Sequence, residues 1–274
     1  MLTRRVTDWD DAYANGIHIA GGERWPQLWA DAATAFRERM AGRSRLDLAY
    51  GERPRNRLDL FLPAARPAGL VVFVHGGYWR ALDRSYFSHL AEGAVESGHA
   101  VAVPSYTLCP GTRIAGITEE IGKAIAFAAA EVAGPIRLAG HSAGGHLAAR
   151  MISATSPLPE AVRSRVVNTM SISGLHDLRP VMRTAMNDVL RIDATEALSE
   201  SPALLEPMTG ARIVCWVGGA ERSEFIRQSA LLANVWTGLS AETAFVSEPD
   251  RNHFTILDGL ADARHALTRA LLTA

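Results

Sequence analysis

One serine between two glycines, Gly140-His141-Ser142-Ala143-Gly144, is the group in this 274-residue chain best placed to do chemistry. Residues 135–139 before it read as a short strand, and residues 145–152 after it read as a helix. A strand that turns sharply into a helix at Ser142 lifts its Oγ above the sheet, and the glycines leave room for so tight a turn. The chemistry implied is attack of the hydroxyl on a carbonyl carbon, through a covalent acyl intermediate.

Such an attack creates an oxyanion, which needs backbone N–H donors in a water-poor place. A second motif, His75-Gly76-Gly77-Tyr78-Trp79, follows the apolar run 70–74. A side chain on either glycine would block close approach of the backbone, so the expected oxyanion donors are the N–H groups of Gly77, with Gly76, and of Ala143. His75 reads as a structural residue that holds the loop. A serine hydroxyl also needs a base, and the base needs an acid to orient it. Where the chain order is serine, acid, histidine, the base follows the last strand, which selects His253. The acid then lies in the loop 218–224. Glu221 is the expected acid, and Glu224 is the alternative that more naturally opens the following helix, where a carboxylate suits the positive helix end. Asp250 reads as a turn residue and His265 as part of the last helix. His141 and His146 read as packing or hydrogen-bonding residues. No histidine or cysteine spacing suits a metal, and the scheme needs neither metal nor organic cofactor.

A sheet must carry these groups. Apolar or alternating runs predict strands at 46–50, 58–62, 70–74, 100–104, 135–139, 166–172, 211–217 and 243–246. Helical patterns lie at 27–40, 86–97, 117–132, 145–152, 223–236 and 257–272. The first two strands suit a half-exposed antiparallel hairpin at a sheet edge. The later alternation of strand and helix indicates a parallel sheet covered on both faces. Together they match the α/β-hydrolase plan: one domain over 1–274, a mostly parallel sheet of about eight strands, and helices on both faces. Residues 1–42 form an N-terminal helical extension, with Leu28, Ala32, Ala35 and Phe36 on one side of its helix and Trp9, Trp25 and Trp29 packed on the body. Residues 175–208 are too long for a plain crossover and are expected to form a small helical cap over the site.

The chain is 48% hydrophobic and 21% charged with a formal net charge of −1. That balance gives no general attraction for nucleic acid or anionic membrane. No apolar run reaches membrane-spanning length, and residues 1–8 lack the apolar region of a secretory signal. Cys109 and Cys215 show no C-x-x-C or metal spacing, and Cys215 reads as a buried thiol in a strand. The expected location is the cytoplasm. The expected partner is a small-molecule acyl amide or ester, with no nucleic acid and no membrane, and a homodimer is the expected assembly.

The motifs taken together resemble the kynurenine formamidase (arylformamidase) branch of the α/β-hydrolases. The likeness runs through His75-Gly76-Gly77-Tyr78-Trp79, residues 104–110, Gly140 to Gly145, residues 171–180, residues 224–229 and His253-Phe254. The family acid is usually aspartate, and Glu221 departs from it. The resemblance implies hydrolysis of an N-formyl aryl amide, such as N-formylkynurenine, to formate and the free amine. For such a substrate, Tyr78 and Trp79 are expected to crowd the acyl side, and Leu175, Met182 and Met186 to line the leaving-group side. A general carboxylesterase or thioesterase would use the same machinery. A non-catalytic binding protein on this scaffold is a third reading, against which the retained serine, histidine, acid and glycines argue.

Overall fold

The computed structural model describes residues 5–273; residues 1–4, part of the basic opening stretch, and residue 274 lie outside it. Two helices, α1 (Trp9–Tyr13) and α2 (Trp25–Arg39), precede the sheet. Then follow β1 (Ser44–Ala49), β2 (Arg57–Phe61), β3 (Leu70–Val74), α3 (Glu92–Glu96), β4 (Ala100–Pro104), α4 (Ile114–Glu131), β5 (Ile136–His141), α5 (Ala143–Arg150), α6 (Glu160–Arg163) and β6 (Val166–Ile172). The chain ends with α7 (Asn187–Leu190), α8 (Ala194–Ser199), β7 (Arg212–Gly218), α9 (Ser223–Thr237), β8 (Glu242–Glu248) and α10 (Ala266–Leu272).

The eight strands form one sheet in the order β1-β2-β4-β3-β5-β6-β7-β8. β2 pairs antiparallel with β1 and β4, and every pair from β4 onward is parallel. This is the α/β-hydrolase architecture. Burial on both faces explains why β3, Leu-Val-Val-Phe-Val, is apolar throughout. Its alternate residues feed two cores. Leu70, Val72 and Val74 join the core that also takes in α4, α5 and α9, whereas Val71 and Phe73 join the one that takes in α2, α3 and α10. Each such buried Leu, Val or Phe side chain contributes roughly 1.5–3 kcal/mol.

Several local expectations need correction. β2 is buried rather than half-exposed, because β4 covers its second edge and α2 packs its Phe36 ring 5.1 Å from that of Phe61. On α2 the buried stripe is Trp29, Ala33 and Phe36, while Leu28 is 51% exposed. The expected helix 86–97 is two 3-10 turns followed by the short α3. The expected last helix is a 3-10 segment, Thr255–Ala261, and a separate α10, whose N-terminus is capped by His265 Nδ1 accepting from the Leu267 N–H. Among the described residues no helix is long and apolar enough to cross a membrane. Cys109 and Cys215 are free and buried, and burial pushes the Cys215 thiol up to about 12.

Candidate active site

Ser142 sits between the end of β5 and the start of α5 with φ 56° and ψ −117°. A non-glycine residue in that region is strained and persists only where its surroundings dictate it. The surroundings are backbone. A Cβ on Gly140 would stand 2.0 Å from the Gly144 carbonyl oxygen, and one on Gly144 would stand 2.0 Å from that of Val74. Only glycine lets β3, β5 and α5 converge this closely beneath the serine.

The loop after β3 makes the opposite wall. Gly77 has φ 108°, and a Cβ there would meet the Ala81 carbonyl oxygen at 2.3 Å. Gly76 lies beside the serine, where an added Cβ would be 3.1 Å from Ser142 Cβ. Among the described residues, the Gly77 and Ala143 amides donate to no protein acceptor, which leaves both free for an anion. His75 braces this loop: its Nδ1–H donates to the Gly76 carbonyl at 2.7 Å, and its ring stacks 4.3 Å from Tyr106, whose hydroxyl donates to the His75 carbonyl. Full burial lowers the His75 imidazole to about 4, so it is neutral and a poor proton carrier near neutral pH.

His253 follows β8, and Glu221 follows β7. Glu221 Oε2 is 2.6 Å from His253 Nδ1 in a pair whose side chains are 0% and 5% exposed. The two loops are laced together: the Gly219 N–H donates to the Glu248 carbonyl and the Ala220 N–H to the Arg251 carbonyl. Glu224 is elsewhere. It opens α9, accepts from Tyr13 OH at 3.0 Å and pairs with Arg227. Of the two candidate acids, only Glu221 is within hydrogen-bonding reach of the imidazole. Asp250, with φ 61°, forms an exposed turn. His141 donates from Nε2 to the His253 carbonyl at 2.9 Å, and burial holds its imidazole well below the usual range. His146 points away and donates to the Glu200 carbonyl at 2.6 Å.

Ser142, His253, Gly76 and Gly77 line one cavity of about 370 Å³. Tyr78 and Met186 also line it. Trp79, Leu175 and Met182 do not, and those assignments are corrected. Tyr78 and Trp79 both have positive φ, and the turn sends the Trp79 ring into the core, fully buried and edge-on to His146. Leu175 is fully buried in the core beside α5, and Met182 lies by a separate surface groove with Arg179 and Leu198. From the segment 175–208, only Met186 reaches the cavity lining.

The rest of that wall comes from a part of the chain that shows no chemical motif. Asp10, Tyr13, Ala14, Asn15 and Gly16 line the cavity, as does Trp29. This arm is fastened by the Tyr78 hydroxyl donating to the Tyr13 carbonyl at 2.5 Å, the Ala185 N–H donating to Asp10, and an Asp11–Arg222 ion pair. Trp29, Phe87 and Phe254 form an aromatic cluster with ring separations of 5.3 Å at one side of the cavity. The density of tryptophan before residue 30 was the sequence signal, but it specifies no partner. Among the described residues, no cluster of three or more metal-binding side chains is present.

Known proteins give the comparison. The BD-FAE family model matches residues 58–186. A kynurenine formamidase from Danio rerio is 27% identical over 97% of this chain and 98% of its own length. A crystal structure from Silicibacter sp. tm1040, of a protein provisionally named a thioesterase, is 47% identical with a TM-score of 0.93, covering 98% of this chain and all of that one. Esterase B from Lactobacillus rhamnosis shares the fold at 18% identity, with a TM-score of 0.64 and 91% of each chain covered.

Proposed function

Since the chain belongs to the α/β-hydrolases, in their kynurenine formamidase-like esterase branch, we propose that it is a serine hydrolase acting through Ser142, His253 and Glu221. The observation that carries this reading is that His253, held by a buried 2.6 Å contact to Glu221, lines the same cavity as the strained Ser142. His253 takes the hydroxyl proton as Ser142 Oγ bonds to the substrate carbonyl carbon. The N–H groups of Gly77 and Ala143, with Gly76 beside them, hold the oxyanion. Collapse of the tetrahedral intermediate breaks the bond to the leaving amine or alcohol, which receives the proton from His253. Water, deprotonated by His253, then releases the acyl group and returns the hydroxyl to Ser142. Glu221 accepts from Nδ1, fixes the tautomer and stabilises the imidazolium.

The favoured substrate is an N-formyl aryl amide of the N-formylkynurenine kind. The near full-length likeness to a kynurenine formamidase supports it, as do the aromatic walls of a cavity sized for one small aromatic molecule. A small-acyl ester or thioester is the second reading, favoured by the name given to the 47% identical relative. Steady-state hydrolysis of N-formylkynurenine beside p-nitrophenyl acetate and butyrate, with Ser142→Ala as control, separates the two. Preference for the formamide supports the first and turnover of esters alone supports the second. Folded protein that turns over neither, and that a fluorophosphonate does not label, would leave the non-catalytic reading.

A further inference from the structure

We infer that Ser173 is a positioning residue for the triad acid, the group that makes a glutamate serviceable there; this rests on the serine hydrolase reading above. Glu221 carries one more rotatable bond than aspartate, so its carboxylate must be held by something beyond its own stem. Both oxygens are engaged. Oε2 faces His253, while Oε1 accepts from the Ser173 hydroxyl at 2.5 Å and from the Gly218 N–H at 2.8 Å. Gly218 closes β7 on the same loop as the acid. Ser173 comes from a different strand, immediately past the end of β6.

The backbone at Ser173 is built for this contact. Its φ is 52°, a left-handed conformation that costs a non-glycine residue energy. It is 0% exposed, and its N–H donates to the Trp216 carbonyl of β7 at 2.7 Å. A strained, buried residue whose hydroxyl is aimed at a functional carboxylate is the pattern in which strain serves a site. The hydroxyl has one proton, and an ionised carboxylate is acceptor-only, so the proton goes to Oε1. That bond, with the one from the Gly218 N–H, fixes Oε1 and so turns Oε2 toward Nδ1. Ser173 does not line the cavity, so its effect reaches the reaction only through Glu221 and His253.

Ser173→Ala, measured on any ester or formamide the wild type turns over, should lower kcat about tenfold and leave KM unchanged, since a hydrogen bond to a charged group is lost. The decisive comparison is the double-mutant cycle. In a Glu221→Gln background the same substitution should cost almost nothing, because the charge that Ser173 holds has gone. Loss of equal size in both backgrounds, or no loss in either, would overturn the inference. Activity that survives Ser142→Ala would instead overturn the hydrolase reading. The Ser173 inference is then decided by the His253 Nδ1–H proton resonance, which must move in Ser173→Ala and stays fixed if Ser173 does not act on the pair.

Discussion

The proposed reactive unit sets three side chains on three loops against an oxyanion loop, and its nucleophile and that loop can be removed with different signatures. Ser142→Ala should abolish turnover, by at least about three orders of magnitude, while leaving the denaturation midpoint close to wild type. Retained turnover on purified protein would exclude Ser142 as the nucleophile. Gly77→Ala combines two faults. A left-handed φ becomes unfavourable, and the new Cβ cannot sit 2.3 Å from the Ala81 oxygen without moving the loop. The expected result is a fall in kcat of about two orders of magnitude, the scale of one lost oxyanion donor, checked by kinetics at saturating substrate. The sequence made these residues readable because their chemistry forces local rules on neighbours. A serine at a strand-to-helix turn demands small flanking residues, and an oxyanion loop demands glycine. The direction of Trp79 was not readable in the same way, since it depends on two successive positive φ values that no side-chain pattern encodes.

At the scale of elements, the strands were read most faithfully. β3, β4 and β7 have apolar interiors set off by glycine, proline or polar residues, and burial on both faces removes any ambiguity of pattern. The stretches around residues 86–97 and 257–272 were misread because leucine and alanine at helical spacing fit a 3-10 turn as well as a regular helix. The arm that walls the cavity was illegible for another reason: its contacts lie far away in sequence. Tyr13 donates to Glu224 and accepts from Gln228, both more than 200 residues on, and its ring packs edge-on to Phe225 at 5.9 Å. Phe225 in turn lies 4.4 Å from the His253 ring. Tyr13→Phe should therefore destabilise the fold by about 1 kcal/mol, the worth of a buried hydrogen bond. Because the arm lines the cavity, KM should rise more than kcat falls. Unchanged KM with lowered kcat would show that Tyr13 acts on the base rather than on the wall.

For the whole molecule, buried neutral histidines set the response to acid. Burial lowers His75 and His146 to about 4 and His176 to about 3, against about 6.5 for the unfolded chain. Between those limits the unfolded state binds more protons than the folded one. Stability is therefore full above about pH 6.5 and is lost as pH falls toward 4, by roughly 1 kcal/mol per pH unit for each histidine. Urea titrations at pH 7.5, 6 and 5 should give steadily falling midpoints, and a single His146→Gln variant should show a shallower decline. A flat profile would mean that these rings are protonated in the folded protein. The contact from His141 to the His253 carbonyl reaches further still. It joins the middle of the chain, which carries the serine, to the C-terminal part, which carries His253. A recombinant enzyme spliced from two relatives anywhere between these positions would inherit the donor from one parent and the acceptor from the other. The acceptor is a main-chain oxygen that every parent supplies, so the success of such a splice depends on whether the parent providing residue 141 brings a ring N–H to that place.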